Sequence, residues 1–159
     1  MGVNPAYAGR VYPPSPVYEV GREKIREFAS AIGSADPAHH DPAAARALGH
    51  RDVVAPPTFA VIIAQQCEAQ LIRDPEAGID FSRVVHGEER FAFHRPIVAG
   101  DRLVPTLHVE QMRLAGGHGM VTTRVELAAA PAGLDEVPSI EGLEPVATVW
   151  SMLVVRGGE

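Results

Sequence analysis

The sequence has one cysteine among its 159 residues, Cys67, set in an apolar stretch. That excludes a disulfide framework and any zinc site built on cysteine thiolates. No apolar run approaches the roughly 20 residues that a membrane-crossing helix needs, so membrane insertion is not expected. The opening MGVNPAYAGRVYPP lacks the basic-then-apolar order of a secretory signal. It begins Met-Gly, but Ala6 stands where the myristoylation pattern wants Ser or Thr. A cytoplasmic location is the resulting expectation. Basic blocks are missing too: 14 Lys and Arg are scattered against 20 Asp and Glu, for a formal charge of −6. Phosphate neutralisation needs clustered cations, so nucleic acid is not an expected partner. There is no internal repeat and no low-complexity tract.

What is there suits a globular chain: 46% hydrophobic and 21% charged residues, on a length that can bury one core. Residues 1–159 read as a single domain. After an extended Pro- and Tyr-rich opening to Val20, the stretch Arg22 to Ile32 puts Ile25, Phe28, Ala29 and Ile32 on one helical face, and Gly33 stops it. Asp41 and Pro42 spell a helix start, a carboxylate cap followed by a proline in the first turn, for a short helix to Leu48. After Pro56-Pro57, the run from Thr58 to about Arg73 is apolar on most sides, the mark of a buried helix.

From Val84 onward the chain alternates in the strand manner. RFAFH leads into DRLVPTLHVEQMRL, GMVTTRVELAAA and PVATVWSMLVVR, separated by GGHG and by an acidic loop, 131–144, expected to be mobile. Helices followed by antiparallel strands make the α+β pattern, a sheet wrapped on a long apolar helix.

The stretch DPAHHDP, residues 36–42, raises the functional question. Histidine titrates near neutral pH and serves as base or ligand, yet a polar turn between two helices accounts for the same letters. Zinc binding by His39, His40 and Asp41 is not expected, because adjacent side chains diverge and no second ligand cluster is evident. His40 reads as solvent-facing, His86 and His94 as surface histidines, and Phe91, Phe93 and Trp150 as core or interface.

Three segments then carry a resemblance. FASAIGSADPAHHDPAAA (28–45) resembles F-A-x-x-[ST]-G-D-x-N-P-x-H-x-D, VVAPPTFAVII opens the central helix where A-H-G-M is usual, and FHRPIVAGDRL (93–103) is similar to F-x-x-P-V-x-x-G-D-x-L. These are words of the MaoC-like (3R)-hydroxyacyl dehydratases and hydratases, which have the hot-dog fold. With YEVGREKIREFA (18–29), the wording looks closest to the FAS1-like accessory subunits of actinobacterial heterodimeric (3R)-hydroxyacyl-ACP dehydratases.

The resemblance implies an acyl-ACP or acyl-CoA thioester substrate, no metal and no organic cofactor. Water is lost by taking a proton alpha to the carbonyl and donating one to the departing hydroxyl, while backbone N–H groups hold the enolate oxygen. On this chain the family's base falls on His39 and its acid on Ser34, which is far too weak an acid for that role. Asp36 is the nearest substitute. Pro57 replaces the glycine whose N–H would hold the thioester oxygen, and proline has none. The Thr58 amide could still serve, and Phe59, Ile62 and Ile63 are candidate contacts for an acyl tail.

Three functions follow as expectations. The first is a substrate-binding and stabilising subunit, paired helix to helix with a homologous MaoC-like chain that keeps both acid and base. The second is a self-sufficient homodimeric hydratase using His39 and Asp36, and the third a non-catalytic acyl-thioester binding protein. Hot-dog thioesterases generally need a carboxylate on the central helix, where this chain offers only Glu68.

Overall fold

The alternation read after Val84 becomes four long strands in a computed structural model that describes residues 2–157. The ends of the expected domain, residues 1, 158 and 159, lie outside the described residues. The strands are β2 (Val84–Phe93), β3 (Arg102–Ala115), β4 (His118–Ala129) and β5 (Pro145–Val155), preceded by a two-residue β1 (Tyr18–Glu19). They form one antiparallel sheet in the order β1-β3-β4-β5-β2. Period-two patterning decides the buried face. In β5, Ala147, Val149, Ser151, Leu153 and Val155 point inward, and the residues between them are half-buried.

Three helices precede or interrupt the strands: α1 (Arg22–Ala31), α2 (Pro42–Ala47) and α3 (Ala60–Ile72). Helix α1 buries Ile25 and Ala29 as its spacing requires. Ile32, expected on that face, caps the helix instead and is exposed, because Gly33 turns the chain away at φ 72°. Asp41 accepts from the Ala43 N–H at 2.9 Å and caps α2 as expected.

The central helix starts later than the sequence suggests. Pro57–Phe59 forms a tight 3-10 turn and α3 proper begins at Ala60. The cause is the proline pair: a residue before proline is pushed out of the helical region, and Pro56 sits at φ −54°, ψ 149°. Helix α3 buries Ile63, Ala64, Cys67, Glu68 and Leu71 against the inner face of the sheet, where Leu103, Leu107, Val125, Leu127, Val149 and Leu153 complete the core.

The two sheet edges are treated differently. Residues 9–15 run along β3: the N–H groups of Gly9, Tyr12 and Ser15 donate to the carbonyls of Val109, Leu107 and Pro105 at 2.8–2.9 Å. Strand β2, at the other end, has no protein along its outer edge among the described residues. The 131–144 loop is tied to the body by Arg102, which donates to the Pro131 and Leu134 carbonyls at 3.1 and 2.8 Å.

Candidate functional site

The site is built where three irregular segments meet. Asp36 opens a 3-10 turn, Pro37–His39, and its Oδ1 accepts from the Ala38 N–H at 2.9 Å. The Ala38 carbonyl in turn accepts from the Val54 N–H at 3.0 Å. The His39 Nδ1–H donates to the Val54 carbonyl at 2.7 Å. A carbonyl can only accept, so in the neutral ring the proton sits on Nδ1 and the Nε2 lone pair is left free.

The next wall is the turn before β3. The Ala55 N–H donates to the Ile97 carbonyl at 2.8 Å and the Ala99 N–H to Val53 at 2.9 Å. Asp101 holds this turn from below. It is 4% exposed, and it accepts from the Val98 N–H at 2.9 Å, from Arg95 at 2.9 and 3.1 Å, and from Arg51. Burial alone would raise its pKa, but the bonds from Arg95, the Val98 amide and Arg51 outweigh that and keep it below the usual carboxylate range. The Gly100-Asp101 pair is thus a turn residue and its partner, as its sequence suggests.

These segments enclose a cavity of about 560 Å³. Of the residues singled out in the sequence, it brings together His39, Asp36 and Pro57. Ser34 does not line it. The Ser34 carbonyl accepts from His40 Nε2 at 2.9 Å, and the His40 carbonyl accepts from Arg26 at 2.8 Å. His40 is therefore half-buried and locks the loop, and is not the solvent-facing residue its position suggests. Thr58 is exposed in the first turn, where an N–H has no partner within the helix. Phe59 is fully buried, packed edge-on against Phe28 and Tyr18 with centroids 5.6 and 6.5 Å away. Ile62 is half-buried, and Ile63 belongs to the core and borders a separate 430 Å³ cavity under the Pro14–Pro16 segment.

The cavity adds four residues that the sequence did not single out: His50, Phe93, His94 and Arg95. His50 comes from the loop after α2, the others from the end of β2, so only the tertiary fold joins them. Phe93 stacks parallel on Phe91, centroids 6.3 Å apart. Among the described residues, no His/Cys/Asp/Glu group is arranged to hold a metal ion, and no helix is long and apolar enough to cross a membrane.

Glu68 lies elsewhere. It is 1% exposed on the sheet side of α3, where its Oε1 accepts from the Thr123 hydroxyl at 2.6 Å. Burial pushes its pKa up, against the opposing pull of the Thr123 and Ser151 hydroxyls.

Known proteins agree with this architecture. Residues 6–130 match the FAS1-like dehydratase domain region. A UPF0336 protein of Saccharopolyspora erythraea is 48% identical over 157 residues, 99% of this chain and 94% of that protein. Among solved structures, the C-terminally truncated HadBC (3R-hydroxyacyl-ACP dehydratase) complex of Mycobacterium tuberculosis superposes with a TM-score of 0.78 at 29% identity, covering 93% of this chain and 96% of that one. A MaoC-like dehydratase superposes at 0.80 with 33% identity, over 96% of this chain and 43% of the longer one. A curled five-stranded sheet with one buried helix against it is the hot-dog fold. On that scaffold, and with a match spanning most of its length, the chain belongs to the FAS1-like dehydratase-domain family.

Proposed function

We propose that residues 1–159 form one domain that serves as the substrate-binding and stabilising subunit of a cytoplasmic (3R)-hydroxyacyl-ACP or -CoA dehydratase, paired with a homologous MaoC-like chain that carries the full acid–base set. The observation that carries this is the make-up of the cavity. It presents a free imidazole nitrogen at His39, yet the residue at the acid position, Ser34, lies outside it, and Pro57 contributes no N–H.

Dehydration breaks the Cα–H bond and forms Cα=Cβ as the Cβ–O bond breaks, and the hydroxyl leaves as water once protonated. His39 Nε2 is placed to accept the first proton. Nothing of matching strength is fixed opposite it to give the second, and the enolate oxygen finds at most the Thr58 amide at the helix start. A cavity of this size accommodates a thioester group and the start of an acyl chain. The uncovered β2 edge is the surface such a partner would use. That HadBC is a complex supports a second hot-dog subunit by analogy.

The test is co-purification with a MaoC-like chain that has both Asp and His, followed by crotonyl-CoA hydration. Activity that requires both chains is the expected result. Full activity from this chain alone overturns the reading. In that case the self-sufficient hydratase stands, favoured by Asp36 lining the same cavity as His39. Thioester binding without activity in either setting indicates the non-catalytic binding protein.

A further inference from the structure

Strand β2 leaves its outer edge unpaired over ten residues, and most of its side chains are exposed. A long open edge is a template for another strand. What distinguishes this one is what lies at its middle. Registration across the sheet places Thr123 beside Ser151 and Ser151 beside Glu89, a polar row on an otherwise apolar inner face. Glu68 reaches this row from α3.

The row is short of protons. The Thr123 hydroxyl donates to Glu68 at 2.6 Å and the Ser151 hydroxyl to Glu89 Oε1 at 3.1 Å. Glu89 Oε2 is buried without a hydrogen-bond partner, and His86 Nδ1 stands 3.5 Å from it. A cavity of about 440 Å³ opens here between α3 and the start of β2, with Glu68, His86, Arg73 and Phe81 in its walls.

Consider a second copy of the chain on this edge. Directly opposed residues of antiparallel strands lie on the same face, so a two-fold axis passes through a residue and not between two. The middle of Val84–Phe93 falls at Glu88 and Glu89, so the centred registers set Glu88 against Glu88 or Glu89 against Glu89. In the latter, Glu88 meets Arg90 of the other copy on the outer face, where exposed ion pairs contribute little. Inside, two orphaned Glu89 carboxyls and two Glu68 carboxyls converge on the axis. Buried like charges outweigh those exposed pairs.

We propose that the β2 edge is a docking surface selective for a non-identical homologous strand with a basic side chain opposite Glu89, and that Glu89 with Glu68 disfavours pairing between identical chains. The proposal rests on the heteromeric reading above for the existence of such a strand. Its charge logic is negative design by an unmatched buried carboxyl.

The test uses the full chain alone, by sedimentation at about pH 7 and low salt. Self-association is expected to be weak in the wild type and to tighten about tenfold or more in Glu89→Gln and in the Glu68→Gln/Glu89→Gln pair. Unchanged or weaker self-association of the variants overturns the proposal, as does a tight wild-type dimer that Glu89→Gln leaves untouched. Should the variants not fold, the wild type decides: protonating the carboxyls by moving from about pH 7 to about pH 5 must tighten its self-association, and no change overturns the proposal. His86 and Arg73 are the other charged groups facing the pair, and His86 protonation acts in the same direction, so pH dependence that survives in the double Gln variant reports His86. A chain that dimerises with itself yet still restores hydration activity to a MaoC-like partner overturns this inference alone.

Discussion

His39 and Glu68 show how one side chain is fixed by what it touches. The Val54 carbonyl sets the His39 tautomer, so the ring presents its basic nitrogen to the cavity whether or not the chain catalyses. His39→Ala is expected to leave crotonyl-CoA hydration by a two-subunit complex within about threefold of wild type, whereas a self-sufficient enzyme would lose at least about a hundredfold of its activity on losing its base. Initial rates of the mixed and single-chain preparations check this. For Glu68 the sign runs the other way from most carboxylates. Its pKa in the folded state is raised by burial, so its cost to stability appears as pH rises past the ordinary carboxylate range. Glu68→Gln is expected to flatten the fall in stability on the alkaline side of that range, read as urea midpoints across pH. His39 was legible because its neighbours spell a motif. His50, His94 and Arg95 were not, since only the Asp101 turn brings the last two to the loop that holds the first.

At the scale of elements, most boundaries follow from local chemistry. The Asp41-Pro42 start, the Gly33 stop and the strand alternation are short-range signals, and the structure keeps them. Two departures have equally local causes. The Pro56-Pro57 pair delays α3 by a tight turn, and a register shift between His86 and Glu88 changes the phase of β2. Because of that shift, His86 and Glu89, three apart in sequence, face the same carboxyl row, which simple alternation hides. The proline turn yields a prediction of its own. Pro57→Gly supplies an N–H where the family has one, at a cost of about 1 kcal/mol from the freer unfolded chain. Acyl-CoA binding by calorimetry is expected to tighten severalfold while the melting temperature drops. Weaker binding with intact fold would show that the first turn does not face the thioester.

For the molecule as a whole, stability at low pH depends on carboxylates that bridge distant segments. Arg22 on α1 donates to Asp52 through two bonds of 2.9 and 2.8 Å and holds its pKa down to about 2, from 3.8. A depressed carboxylate stabilises the fold above its unfolded pKa, and that contribution is lost as pH falls from about 4 towards 2. Asp52→Asn should remove this part of the acid transition when unfolding is followed by circular dichroism. Asp101 ties three segments at once and is buried, so Asp101→Ala leaves the Arg95 guanidinium short of its counter-charge. A loss of about 3–5 kcal/mol is expected, with the cavity wall lost alongside, measured by denaturant unfolding and thioester binding.

The unequal edges of the sheet also set a number. Residues 9–15 occupy the β3 side, so each chain of this shape offers one free ribbon and no more. Two such chains joined ribbon to ribbon exhaust their capacity to add strands, and growth halts at a pair where an edge open on both sides would propagate into a filament. The N-terminal segment is, in that sense, the molecule's chain terminator.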